Sequence, residues 1–134
     1  MNRALGIDYG DTRIGIALSD PLQIITKPYI TLKNNSDFFV KLESIVNEKG
    51  VKIIVVGYPY GMKGQVTKQT EKVDLFINRL KQNIDIEVIK VDERLSSKSA
   101  ENLLKKQGFK IGHNKSMIDD TSAAIILQEY LDSK

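Results

Sequence analysis

Asp8, the pair Asp92–Glu93 and the pair Asp119–Asp120 are the acids most able to do chemistry in this sequence. Asp8 lies in the strand-like opening of GIDYGDTRIG, and aspartate is depleted in strands. A carboxylate in a sheet core must be paired, hydrogen-bonded, neutralised or metal-bound. Asp92 and Glu93 follow the β-branched run IEVIKV, and Asp119 and Asp120 stand at the start of an apolar helical stretch. Hard divalent cations such as Mg²⁺ or Mn²⁺ take oxygen ligands. Phosphodiester-cleaving sites often hold two such ions about 3.5–4 Å apart between a few carboxylates. Each acid also has an ordinary explanation. Asp8 could begin a turn, and Glu93 could pair with Arg94. Asp119 stands three residues after Ser116 in a capping-box spacing, and Asp120 suits a helix N-terminus. The combination points to a metal site where no single member does.

Composition narrows the alternatives. The 134 residues contain no cysteine and one histidine, His113, which excludes disulfides and thiolate or His-rich zinc sites. No apolar run approaches a membrane span and no charged leader precedes an apolar core, so a soluble, cytoplasmic protein is the expectation. Net charge is +3, but Lys98, Lys105, Lys106, Lys110 and Lys115 face only Glu101 between positions 98 and 115. That segment carries an excess of +4 and leaves −1 for the rest. A local basic cluster is a plausible phosphate footprint, or else a solvated helix face.

The elements that must position these groups are legible from periodicity. Residues 4–9 and 13–19 read as two strands around the turn Gly10-Asp11-Thr12. Leu5, Ile7 and Tyr9 share one face, and Ala4, Gly6, Asp8 and Gly10 the other. Ile14, Ile16 and Leu18 oppose Gly15, Ala17 and Ser19 in the same way. The hairpin thus has a bulky face and a small-residue face on which Asp8 is the one large polar group. A third strand over residues 24–32 tolerates Pro28 only at an edge. Phe38, Phe39, Leu42, Ile45 and Val46 mark a helix ending near Gly50, and VKIIVVG reads as a buried parallel strand. The loop YPYGMKGQ follows, then a helix carrying Val66, Val73, Phe76, Ile77 and Leu80. After the strand at 86–91, a third helix is expected from Ser96 or Ser97 to near Gly108, and a last one from about Ser116 to Tyr130. The order β-β-β-α-β-α-β-α-α predicts one domain over 1–134, a five-stranded mixed sheet with helices on both faces, as in the ribonuclease H-like fold. Parity favours Glu93 over Asp92, because Glu93 continues the face of Ile89 and Val91. Ser122 and Ala123, one turn beyond Asp119, would let the last helix approach the small face that carries Asp8.

GIDYGDTRIGIALSD, VVGYPYGMKG, VDERLSS and NKSMIDDTSAAIILQEYL, in that order, resemble the successive motifs of the YqgF family over nearly the whole chain. Members of that family are described as pre-16S rRNA nucleases and as Holliday junction resolvases. The resemblance implies a ribonuclease H-like fold and divalent metal, one or two ions of Mg²⁺ or Mn²⁺, held by Asp8, Glu93 and Asp119. It implies a structured RNA or branched DNA partner, ribosomal particles among them, and a monomer or homodimer. Arg13, Lys63, Arg94, Lys98, Lys105, Lys106, Lys110 and Lys115 are the candidate nucleic-acid contacts. Tyr58 departs from the aliphatic residue many relatives carry after Gly57. Two other readings fit parts of the pattern. One is a non-catalytic nucleic-acid-binding module. The other is the phosphate-binding hairpin of actin-like ATPases, matched by Asp8, Gly10 and Gly15, although that fold uses two lobes.

Overall fold

The computed structural model describes residues 2–59, 63–92 and 115–133, with residues 115–120 described as backbone only. The expected third helix, with Glu93, Arg94, Lys98, Lys105, Lys106, Lys110 and His113, lies outside the described residues. Three meandering strands open the chain: β1 (Arg3–Asp8), β2 (Arg13–Ser19) and β3 (Thr26–Lys33). Next come α1 (Phe38–Lys49), β4 (Val51–Tyr58), α2 (Lys68–Asn83), β5 (Glu87–Asp92) and the last helix, here α3 (Lys115–Asp132). The sheet order is β3-β2-β1-β4-β5, antiparallel across the meander and parallel from β1 through β4 to β5.

Strand alternation sorts the core into two layers. Leu5, Ile7, Ile14, Ile16, Ile54 and Val56 face α1 and α2, where Phe38, Leu42, Val73, Phe76 and Leu80 close the larger core. Ala4, Ala17, Ile53 and Val55 face α3 and meet Ala123, Ala124, Ile126, Leu127 and Leu131. The small-residue face expected of the hairpin is therefore the α3 face, and helices cover both sides of the sheet.

Local chemistry sets most boundaries. Gly50 ends α1 in the left-handed conformation at φ 66°, and its N–H donates to the Val46 carbonyl. Thr67 and Thr70 form a reciprocal capping box that starts α2. Val66 therefore precedes the helix and is 59% exposed, whereas its periodicity had placed it on the buried stripe. β3 begins at Thr26 rather than Ile24, because Asp20 folds residues 20–25 into a tight loop. Its carboxylate accepts from the N–H groups of Leu22, Ile24 and Ile25 at 3.2, 2.7 and 2.8 Å. Pro28 sits on β3, an edge strand, beside the register shift between Ile16 and Ala17. This is where a residue without an N–H costs the ladder least.

Candidate active site

Because β1, β4 and β5 are parallel, their C-terminal ends lie along one edge of the sheet. Asp8 closes β1 there, half-buried, opposite Gly15 of β2. Its parity with Ala4 and Gly6 puts it on the α3 side. At the same edge β5 ends at Asp92, in register with Tyr58, and the preceding residues Ile89 and Val91 pack on the α3 layer.

The approach of α3 is closest at Gly6. A Cβ built there would stand 2.6 Å from the Ala123 carbonyl oxygen and 2.8 Å from Leu127 Cβ. No larger residue fits without moving the helix. Farther along, Gln128 fixes the rotation of α3. Its Oε1 accepts from Thr26 N–H at 3.1 Å, and its Nε2 donates to the Ile24 carbonyl at 3.0 Å. Thr26 Oγ1 donates to the Ala124 carbonyl at 2.9 Å. The stripe containing Ala124 and Gln128 thus meets β3, and the stripe through Ala123 lies over β1. Gln128 went unnoticed in the sequence. Its signal was an uncharged polar residue ending the apolar run AAIIL, one helical turn after Ala124.

At the β4 end of this edge, Tyr58 turns toward α2. Its hydroxyl donates to Asp74 Oδ2 at 2.7 Å, and Lys90 Nζ lies 4.6 Å from the ring centroid and 3.5 Å from Asp74 Oδ1. An aliphatic residue could fill the core here but could not make that bond. Thr70 Oγ1 also donates to the Pro59 carbonyl at 2.6 Å. Both residues that open the Gly-rich loop are thus tied to α2. Lys63 is exposed in that loop, but its N–H donates to Gln65 Oε1 at 2.9 Å. That N–H is therefore engaged within the loop itself.

Of the remaining candidates, Arg13 is half-buried at the start of β2. Lys115 begins α3, and positions 119 and 120 lie in its first two turns as described backbone. Among the described residues no helix is long and apolar enough to cross a membrane.

Residues 2–133 match the family model for RuvX, described as Holliday junction resolvase. The chain belongs to the RuvX family. A relative from Acetivibrio thermocellus, named "Putative pre-16S rRNA nuclease", is 48% identical over 136 residues, covering 98% of this chain and 96% of its own. One of the same name from Desulforamulus reducens is 41% identical and covers 98% and 97%. Among solved structures, T. thermophilus RuvC in complex with Holliday junction substrate matches with a TM-score of 0.65 at 13% identity, over 99% of this chain and 95% of that one. The Fowlpox virus resolvase with Holliday junction DNA matches at 0.59 and 13%, over 98% and 97%. At these identities the likeness is one of fold, and RuvX and RuvC share the ribonuclease H-like sheet.

Proposed function

We propose that this protein is a divalent-metal-dependent endonuclease that hydrolyses phosphodiester bonds of structured nucleic acid in the cytoplasm, with the 5′ end of pre-16S rRNA as its substrate. One observation carries the reading: the half-buried Asp8, two residues beyond the point where α3 rides directly on β1. Two strand residues span about 6.6 Å, and four helix residues about 6 Å. Position 119 is one turn before Ala123 and on the same stripe, which supports a meeting of Asp119 with Asp8. Position 120 shares the stripe of Ala124 and Gln128, which runs to β3. This favours Asp119 over Asp120. Glu93 is the residue after Asp92 in the sequence, and its parity is that of Ile89 and Val91, which pack on the α3 layer.

The donor set fits a hard cation: carboxylates only, in a chain with no cysteine and one histidine. Asp8, Glu93 and Asp119 would hold Mg²⁺ or Mn²⁺. When bound, such ions stabilise the negative charge that develops on the attacking and leaving oxygens. Lys63 and Arg13 flank this edge and would hold the backbone of the bound strand. Arg94, Lys98, Lys105, Lys106, Lys110 and Lys115 would extend the basic track.

The names of the curated relatives favour rRNA, and the description of the family favours a second reading, Holliday junction resolution. Cleavage of precursor 16S rRNA and of a four-way DNA junction, compared with either metal, tests both. The expected result is metal-dependent cleavage of the rRNA that Asp8→Asn abolishes. Cleavage confined to the junction, by a symmetric dimer, would move the assignment to the resolvase. Equal activity in the mutant and the wild type would remove Asp8 from the chemistry.

A further inference from the structure

On the other side of the sheet edge a cleft of about 570 Å³ opens between the turn after β1, the start of α1 and the middle of α2. That volume lies within the roughly 300–1,000 Å³ of ordinary ligand sites. Its wall is aromatic. Tyr9 and Phe76 have ring centroids 4.8 Å apart, and Phe39 stacks on Phe76 at 5.9 Å with the planes 20° from parallel. Phe76 is buried, while Tyr9 and Phe39 keep accessible surface. Two exposed cations of α2, Lys72 and Arg79, stand on the rim two turns apart. Lys72 Nζ is paired with Asp11 Oδ2 at 3.1 Å, but both side chains are more than half exposed, and such a pair exchanges readily in water. Asn34 Nδ2 donates to the Gly10 carbonyl at 2.9 Å and fixes the corner of chain beside Tyr9.

Accessible aromatic rings beside cations are what binders of single-stranded nucleic acid use. Rings stack on bases of any sequence, and cations hold the phosphates. Tyr9 follows Asp8 directly, and strand alternation sends the two to opposite layers. A strand with a phosphate at Asp8 therefore needs only to round the end of β1 to deliver its next base to the cleft. We propose that the cleft receives an unpaired nucleotide flanking the scissile phosphate, its base against Tyr9 and Phe39 and its phosphate at Lys72 and Arg79. The proposal rests on the nuclease reading for the position of the scissile phosphate.

The test uses the full chain without divalent metal, so that binding is read apart from cleavage. The probes are RNA and DNA duplexes with one unpaired 2-aminopurine nucleotide at an end, and blunt duplexes as reference. Stacking in the cleft quenches the 2-aminopurine, and the unpaired probes bind about 10-fold tighter than the blunt ones, the size expected for one stacked base. Phe39→Ala removes the quenching. Arg79→Ala, at an exposed rim position of α2, weakens binding of the unpaired probes. Asp11→Asn releases Lys72 and strengthens it. No quenching, or equal binding of both probe types in wild type and variants, overturns the proposal. Cleavage with an unused cleft would leave the nuclease reading standing without it. Quenching lost in Phe39→Ala, in a chain that cleaves nothing, would support the cleft and remove the nuclease reading.

Discussion

The carbonyl oxygen of Ala123 occupies the space that a side chain on Gly6 would need, 2.6 Å from the position of its Cβ. Neither partner yields easily, since one is central-strand backbone and the other helix backbone. Gly6→Ala should therefore cost about 1–3 kcal/mol, as overpacking does. It should also lift α3 away from Asp8. Urea denaturation reads the first effect. Cleavage rate, compared with Asp8→Asn as the inactive reference, reads the second, and a variant as stable and active as the wild type would contradict the close approach.

If Asp8 holds metal, Mn²⁺ should stabilise the folded chain independently of any substrate. At a metal concentration 100 times the dissociation constant the gain is about 2.7 kcal/mol. Thermal denaturation with and without Mn²⁺ should show this rise in the wild type and its loss in Asp8→Asn.

The hydrogen bond from Tyr58 to Asp74 makes its own forecast. Tyr58→Phe keeps the ring in the core and removes the donor, at an expected cost of about 1–2 kcal/mol for a bond to a carboxylate. In a double-mutant cycle, Asp74→Ala in the Tyr58→Phe background should cost less than in the wild type. Additive losses would mean that the two side chains are not coupled.

Asp20 ties the loop before β3 to the pH. Hydrogen bonds from the N–H groups of Ile25 and then Ile24 hold its carboxyl below the ordinary value of 3.8. A depressed folded value means the unfolded chain takes up the proton first. The stabilisation is then complete above the ordinary value and is lost as the pH falls through the folded one. The stability difference between wild type and Asp20→Asn should hold constant from neutrality to about pH 5 and shrink below pH 3.8. Denaturation profiles of the two chains across that range provide the check.

Gln128 offers a test of what seats α3. Gln128→Leu keeps the bulk but leaves Thr26 N–H and the Ile24 carbonyl without this partner, an expected loss of about 1–3 kcal/mol. Faster amide exchange at Thr26 should accompany it.

Much of the fold was legible because alternation and helical period act over short distances. The two faces of the hairpin, the small surface carrying Asp8 and the edge position of Pro28 all followed from residues within a few places of one another. Val66 was misplaced because a capping pair one residue later outweighed its hydrophobicity. The roles of Tyr58 and Gln128 depended on partners 16 and 102 residues away, Asp74 and Thr26, which no local pattern announces. Asp8 could be chosen because a charge inside an apolar strand is locally anomalous. Glu93 and Asp119 sit among other polar residues, and only the stripe through Ala123 distinguishes position 119 from 120.

The alternation at the end of β1 also limits how this protein can change length. β1 is held in register by β2 on one side and β4 on the other. One residue gained or lost within it would exchange the layers of Asp8 and Tyr9, sending the carboxylate into the aromatic cluster and the ring under α3. The hairpin turn gives little relief, since a Cβ added to Gly10 would clash with the Arg13 carbonyl oxygen and Asn34 donates to the Gly10 carbonyl. Insertions and deletions should therefore be excluded from residues 3–13 and accumulate elsewhere, such as the loop between β2 and β3.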